Sequence, residues 1–261
     1  MTAAKGTEGQ GEGTLLSHLI ELRGRVMRMV VTVLVLFVCL APFADFIFTT
    51  VADPLMARLP EGTSMIATQV ASPFLTPFKL ALAAAVFLAM PMLLYQTWAF
   101  VAPGLYKQER RLILPLMASS ILLFYGGVAF AYYVVFPLMF SFFAAATPSG
   151  VAMMTDIAAY LDFVLALFFA FGLAFEVPVA TVLAVWAGFT TPEKLAKKRP
   201  FVLLGAFVAG MLLTPPDIIS QTLLAVPVYI LFEAGIVMAR LMVPGHKEVE
   251  AQQKEQEQSG N

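Results

Sequence analysis

The sequence predicts an all-α integral membrane protein. Of its 261 residues, 60% are hydrophobic and only 13% are charged, and the mean hydropathy is +0.84. A soluble domain would carry about 25% charged residues. The net charge of −1 provides no basic surface for nucleic acid, so no nucleic-acid partner is expected. We therefore expect the lipid bilayer to be the main solvent of this chain.

Long apolar runs, separated by proline, glycine and charged residues, predict six transmembrane helices. The predicted spans are about 26–44, 80–101, 112–136, 160–186, 201–213 and 218–242. Helices five and six are predicted to be short, because the fifth run gives only ~20 Å of helix and Pro227 interrupts the sixth. The segment 44–78 is predicted to be a loop, and Pro137 to end the third helix.

The termini are predicted to lie in the cytoplasm. Fourteen lysines and arginines fall on the side of the bilayer that holds both termini, and only Arg58 and Lys79 fall on the other. Such an asymmetry marks the cytoplasmic side. Two disordered cytoplasmic tails, residues 1–14 and 244–261, are predicted to flank a membrane domain of residues 15–243, because both tails are poor in apolar residues.

A short amphipathic helix is predicted over residues 15–25, before the first span. Leu19 and Leu22 lie on its apolar face, and Glu21 and Arg25 lie on its polar face. One interpretation is a local ion pair between Glu21 and Arg25, which would contribute ~0.3 kcal/mol. The other is that Glu21 meets a cationic ligand at the membrane surface.

A second carboxylate, Glu109, is predicted in a loop on the same cytoplasmic side, next to Lys107. It can be a solvated member of a loop of mixed charge. Alternatively, Glu21 and Glu109 can each accept a guanidinium group through charge-assisted hydrogen bonds. Phe100 and Leu105 would then offer apolar surface beside Glu109. A ligand with paired arginines and a following apolar stretch would fit this face.

Two acids, Glu176 and Glu233, lie in the interior of the predicted spans. A carboxylate inside a membrane is costly and therefore faces a cavity or a partner. Each acid can be a functional group or a hydrogen-bonded structural one. No catalytic, phosphate-binding or metal-binding motif is present in the sequence, and the histidines, His18 and His246, lie outside the predicted spans. We therefore expect neither an enzyme nor a cofactor.

Several motifs, in order and over nearly the whole chain, resemble those of the TatC family, the receptor subunit of the twin-arginine protein translocase. The first is Ser-His-Leu-Ile-Glu-Leu-Arg-x-Arg over residues 17–25. The others occupy residues 65–68, 71–74, 95–100, 102–111, 170–178, 197–200 and 213–217.

The resemblance implies a function and a set of site residues. It implies a concave, glove-like arrangement of six helices in the bacterial inner membrane, which binds twin-arginine signal peptides of folded cargo at the cytoplasmic face. The signal-peptide positions are Glu21, Arg23, Phe100, Leu105, Lys107 and Glu109. The other functional positions are Glu176 on the concave face, Pro54 and Asp217 on the periplasmic side, and Met211 and Leu212 as the contact for TatB.

The resemblance also implies that TatA is recruited, that the proton-motive force drives transport, and that the receptor self-associates. An alternative from another class is a proton-coupled small-molecule transporter that uses Glu176. Such a transporter would carry inverted repeats, which are not evident in the sequence.

Overall fold

The computed structural model describes residues 8–56, 65–101, 113–148, 154–213 and 217–242. Among them, five helical segments are long and apolar enough to cross a membrane, and a sixth, over Arg199–Leu213, is a shorter apolar helix. The all-α membrane class is thereby confirmed. The elements are α1 (Glu8–Leu40), a 3-10 turn (Ala41–Phe43), α2 (Ala44–Met56), α3 (Ser72–Val101), α4 (Ile113–Phe130), a π-helical segment (Ala131–Val135), α5 (Phe136–Ala146), α6 (Ile157–Ala174), α7 (Val177–Trp186), α8 (Pro192–Lys197), α9 (Arg199–Leu213) and α10 (Ile218–Met242).

The N-terminal region forms one helix where the sequence predicted a tail, an amphipathic helix and a span. Helix α1 runs without a break from Glu8 to Leu40. It therefore includes residues that were predicted to be disordered. Adding a turn to an existing helix costs much less than starting a new one, so a polar segment can continue the helix that follows it.

The prediction of a loop over residues 44–78 is wrong in two places. Helix α2 occupies Ala44–Met56, and α3 begins at Ser72. Side chains of α2, including the buried Ala52, pack into the main apolar core. Pro73 lies in the first turn of α3, where its missing N–H would have no intrahelical acceptor. Pro54, Pro73 and Pro77 therefore lie within helices, where the sequence predicted a loop.

The predicted break at Pro137 is also wrong. The chain stays helical from Ile113 to Ala146, through the π-helical segment Ala131–Val135. This segment shifts the hydrogen-bond register, so that Pro137 falls in the first turn of α5. There the missing N–H leaves no α-helical bond unmade.

The last two apolar helices differ in length. Helix α9 has 15 residues and spans ~22 Å, so its predicted shortness is confirmed. Helix α10 has 25 residues and continues through Pro227 for ~37 Å, so the prediction that it is short and interrupted is wrong. The predicted fourth span consists of α6 and α7, separated by a turn at Phe175 and Glu176.

Close helix packing creates the core. Helix α1 packs on α3, α4 packs on α6, and α10 packs on α7 and α9. Phe124 of α4 and Phe171 of α6 are fully buried, and so is Phe136 of α5, which lies against Phe168 of α6. At Gly127 the backbone of α4 lies so close to Phe171 that a methyl group would meet its carbonyl oxygen at 2.3 Å.

Two tyrosine hydroxyls from the α4 region reach the backbones of neighbouring helices. Tyr125 donates to the carbonyl of Phe87 in α3 at 2.9 Å. Tyr132 donates to the carbonyl of Thr50 in α2 at 3.1 Å. These bonds connect three helical segments by groups other than apolar side chains.

Asp156 joins the loop before α3 to the start of α6. Its Oδ2 accepts hydrogen bonds from the hydroxyl and the backbone N–H of Thr68, at 2.5 and 2.9 Å. Its Oδ1 accepts from the backbone N–H groups of Ala158 and Ala159 and caps α6. The Thr68 hydroxyl, together with these backbone donors, lowers the pKa of Asp156 to about 2.

Candidate functional site

The ion pair predicted within the N-terminal helix is confirmed. Arg25 donates from Nε and Nη2 to Oε1 of Glu21, at 3.0 and 2.6 Å. The side chain of Glu21 is 43% exposed, whereas that of Arg25 is only 16% exposed. The carboxylate is therefore open to solvent, while its partner is held against the protein.

A residue from a distant part of the chain holds Arg25 in place. Nη1 of Arg25 donates to Oε1 of Gln96 in α3 at 3.2 Å. Gln96 is only 3% exposed, and its amide N–H contacts the sulfur of Met92 at 3.8 Å. No role was expected for Gln96, although it lies in one of the motifs given above. The sequence feature that could have identified Gln96 is a carboxamide side chain inside an otherwise apolar span.

The structure locates some of the predicted signal-peptide residues and not others. Arg23 is exposed on α1, and Phe100 lies half-buried at the end of α3. Leu105, Lys107 and Glu109 lie outside the described residues. Because Arg25 contacts Gln96, the helix that carries Glu21 lies against the last turns of α3. The proximity of Glu21 and Glu109 stays a prediction.

Glu176 lies at the turn between α6 and α7, half-buried in the bundle. The hydroxyl of Ser120 donates to its Oε2 at 2.6 Å, and the indole N–H of Trp98 donates to Ser120 Oγ at 3.4 Å. An indole can only donate, so the Ser120 hydrogen is available to the carboxyl group. Oε1 of Glu176 is buried, and none of the described residues donates a hydrogen bond to it. Sequence reasoning missed Ser120 and Trp98, because serine in a span is ordinary for helix packing.

Glu233, the other acid in the interior of a predicted span, has a direct partner. Arg199 at the start of α9 donates from Nε and Nη2 to the two carboxylate oxygens of Glu233 at 2.5 and 2.7 Å. This fork-to-fork geometry is the strongest form of an arginine–carboxylate contact. It favours the structural interpretation of Glu233, as a connection between α9 and α10.

The remaining predicted residues are spread over other elements. Asp217 caps α10, since its Oδ1 accepts from the backbone N–H of Ser220 at 2.7 Å. Met211 and Leu212 are exposed at the end of α9. Pro54 belongs to the last turn of α2, and its side chain lies outside the described part of the chain. The functional roles of these residues stay predictions.

The helices and their polar contacts define a multi-spanning membrane protein in which carboxylates are held by arginine and serine donors. A family model, described as Sec-independent protein translocase protein (TatC), matches residues 17–227. The chain belongs to this family, as its relatives also show. It is 62% identical over 222 residues to the Sec-independent protein translocase protein TatC of Azotobacter chroococcum mcd 1, which covers 85% of this chain and 87% of the relative.

Another relative and a solved structure agree with this assignment. The Sec-independent protein translocase protein TatC of Escherichia coli (strain K12) is 59% identical over 229 residues, covering 88% of this chain and 89% of the relative. A crystal structure of the twin-arginine translocase receptor TatC superposes with a TM-score of 0.78 at 36% identity, covering 86% of this chain and 98% of that chain.

The family assignment confirms several predictions at once. The chain is a protein of a translocase family rather than an enzyme, and it is a multi-pass protein of the bacterial inner membrane. The alternative of a proton-coupled small-molecule transporter receives no support from these relatives.

Proposed function

We propose that this chain is the signal-peptide receptor subunit of a twin-arginine translocase, and that Glu21 and Glu109 bind the paired arginines of the signal peptide. The observation that carries the proposal is the contact between Glu21 and Arg25. The Glu21 carboxylate already accepts two N–H groups of a guanidinium and is still 43% exposed. Its position and chemistry therefore suit a second arginine.

The paired arginines require a second acceptor on the same face. Glu109 follows the end of α3 by eight positions in the sequence, and α3 is the helix against which Arg25 lies. Phe100 and Leu105 would bind the apolar part of the signal peptide, while Arg23 and Lys107 would balance the acidic pair. This division of roles follows the order of charged and apolar groups in the ligand.

The orientation that this function needs is the one that the charges favour. Both termini, the amphipathic part of α1 and the loop with Glu109 would face the cytoplasm, where the lysines and arginines are concentrated. The signal peptide would then meet the receptor before the folded cargo crosses the membrane.

The contact surface for other subunits would lie at the end of α9. Leu212 is 77% exposed and Met211 is 54% exposed there, on a helix too short for a ~30 Å hydrocarbon core. We propose that these residues contact TatB, that TatA is recruited afterwards, and that the receptor self-associates in the complex. The proton-motive force would drive transport of the folded precursor.

Glu176, Asp217 and Pro54 would support this role from other places. The buried Oε1 of Glu176, which has no hydrogen-bond partner within the described part of the chain, would face the concave side of the bundle. Asp217 and Pro54 would shape the periplasmic side, at the start of α10 and in the last turn of α2.

Site-specific crosslinking of a twin-arginine signal peptide tests the proposal. Probes at positions along 15–25 and 100–111 of the full-length protein in membranes should capture the peptide. Glu21→Gln and Glu109→Gln should each weaken capture, because a neutral amide loses the charge-assisted bond. Glu193→Gln is the matched control, since it removes the same charge from α8 on the predicted cytoplasmic side. Equal capture by all three variants and the wild type would refute the assigned roles.

A further inference from the structure

A pocket of about 510 Å³ lies where the end of α1 meets the starts of α3 and α6. Its lining is both polar and apolar. The polar side chains include those of Ser72, Thr76, Lys79 and Asp162. The apolar side chains include those of Phe37 and Phe78. Such a lining suits a ligand that carries a charged group and an apolar chain.

The pocket lies at the depth of the lipid headgroups. Helix α3 has 30 residues and a length of ~45 Å, which matches the thickness of a bilayer with its headgroups. Its start at Ser72 therefore lies near the outer edge of the headgroup region. Lys79 lies seven residues further along α3 (79 minus 72), ~10 Å deeper. This depth is close to the boundary between headgroups and hydrocarbon, where the phosphate of a phospholipid lies.

Lys79 and Asp162 form an ion pair that leaves both groups open to a ligand. Nζ of Lys79 donates to Oδ1 of Asp162, and the two side chains are 55% and 57% exposed. An ammonium group has three donors, and contacts with described residues use only one of those of Lys79. No described residue donates to Oδ2 of Asp162. A ligand can therefore contact both charges without breaking the ion pair.

We propose that this pocket binds a phospholipid whose headgroup carries a primary ammonium group, namely phosphatidylethanolamine. The lipid phosphate accepts a hydrogen bond from Lys79, and the lipid ammonium donates one to Asp162. An acyl chain lies against the apolar side chains of Phe37 and Phe78. The inference does not depend on the role of Glu21, because Glu21 lies at the other end of the apolar part of α1, 16 residues (37 minus 21) and ~24 Å from Phe37.

The two charges of the pocket favour this headgroup over others. The formal charges of Lys79 and Asp162 add up to zero, as do those of a zwitterionic headgroup. An anionic headgroup would place an uncompensated negative charge beside Asp162, which is unfavourable. A choline headgroup is zwitterionic, but its trimethylammonium group has no N–H to donate. A primary ammonium forms a charge-assisted hydrogen bond with the carboxylate. An ethanolamine lipid should therefore bind more tightly than a choline or a glycerol lipid.

Native mass spectrometry of the full-length protein with added lipid tests the inference. Three phospholipids with the same acyl chains and an ethanolamine, choline or glycerol headgroup are compared. The wild type should bind the ethanolamine lipid with the lowest dissociation constant. Lys79→Gln should raise the dissociation constants of the ethanolamine and choline lipids alike. Asp162→Asn should raise mainly that of the ethanolamine lipid. Each increase should be about fivefold, the factor for one exposed ion pair.

Matched controls remove the same charges outside the pocket. Lys198→Gln and Asp45→Asn serve this purpose, because Lys198 and Asp45 are exposed and do not line the pocket. Equal dissociation constants of the ethanolamine and choline lipids for the wild type would overturn the inference. A dissociation constant of the ethanolamine lipid in Lys79→Gln or Asp162→Asn equal to that in its control would overturn it too, since the lipid would then only cover the apolar surface.

A second variant tests the pocket without changing its charges. Leu75 lines the pocket and is 56% exposed, so the tryptophan of Leu75→Trp can occupy the space of the lipid without disturbing the core. Binding of all three lipids should decrease. Leu122→Trp should leave binding unchanged, because Leu122 is 73% exposed and lies outside the pocket. Binding by Leu75→Trp equal to that by Leu122→Trp would place the lipid elsewhere and overturn the inference.

Discussion

Two adjacent glycines of α4 should respond in opposite ways to a single added methyl group. An alanine at Gly127 would place its Cβ at 2.3 Å from the carbonyl oxygen of Phe171 and 2.9 Å from the carbonyl carbon. An ordinary contact begins at 3.4 Å, so α4 and α6 must separate locally by about 1 Å (3.4 minus 2.3). Phe171 is fully buried, and its backbone cannot move like the end of a flexible side chain.

The cost of Gly127→Ala follows from this shift. Overpacking of a dense core destabilises by about 1–3 kcal/mol. For a chain of this size, that corresponds to a fall in melting temperature of roughly 2–10 °C. Gly126→Ala is the matched control, because its Cβ would meet only Phe175, at 3.9 Å. The control should be neutral or stabilised by up to about 1 kcal/mol through helix propensity.

Thermal unfolding of the two purified variants, followed by intrinsic fluorescence and by size-exclusion chromatography, gives the comparison. Gly127→Ala should melt below the wild type, and Gly126→Ala should melt at or above it. Equal melting temperatures for the two variants would refute the close approach of α4 and α6 at Gly127.

Three further perturbations test polar contacts. Exchanging the charges of Arg199 and Glu233 together should restore most of the melting temperature that either single reversal removes, because opposite charges face each other again; a double variant as unstable as the single ones would contradict the ion pair. Between pH 4 and pH 2, wild type should lose stability more steeply than Asp156→Asn, because a carboxylate with its pKa lowered from 3.8 to about 2 stabilises the fold above pH 4 and loses that contribution on acidification; parallel pH curves would speak against this bond. Ser120→Ala should destabilise by about 1–3 kcal/mol and Glu176→Gln by less, since the amide oxygen still accepts from the hydroxyl; equal losses in unfolding free energy would exclude the serine as the main donor.

Local signals in the sequence located the membrane helices well. The limits of α10 were predicted as residues 218–242, because a pair of prolines and the capping Asp217 precede it. The shortness of α9 follows from the length of its apolar run. The pair of Glu21 and Arg25 was predictable because helix geometry alone brings residues four apart together.

Two prolines were wrongly predicted to end or interrupt helices. The effect of a proline depends on its structural surroundings, which a local sequence pattern does not describe. Pro137 does not end its helix, because a π-helical segment changes the register before it. Pro227 lies inside a continuous α10. Whether a proline breaks a helix depends on how the freed carbonyl and the displaced backbone are accommodated by neighbouring helices.

The candidate site could be predicted only in part for a related reason. Glu21 and Glu176 stand out in the sequence as acids near or inside apolar runs. The partners of their supporting groups cannot be assigned from the sequence, because Gln96 lies 71 positions from Arg25. Ser120 lies 56 positions from Glu176. A single sequence contains no signal for such pairings, which arise from the packing of whole helices.

Two tyrosine hydroxyls of the α4 region donate to carbonyls that prolines leave without a helical hydrogen-bond donor. Pro91 has no backbone N–H, so the carbonyl four residues earlier, that of Phe87, loses its usual helical partner. Tyr125 donates to that carbonyl at 2.9 Å. A hydroxyl from one helix thus supplies the hydrogen bond that proline removed from another.

A tyrosine hydroxyl also replaces a missing backbone donor in α2. Pro54 frees the carbonyl of Thr50, and Tyr132 donates to it at 3.1 Å. Tyr132 follows Tyr125 by seven residues, about two turns along the same continuous helical segment. The hydrocarbon core of a bilayer contains no water that could donate a hydrogen bond to such carbonyls. Tyr125 and Tyr132 therefore satisfy backbone carbonyls of two proline-containing helices. Phenylalanine in place of either tyrosine would leave a carbonyl of the neighbouring helix, that of Phe87 or that of Thr50, without this hydrogen-bond donor.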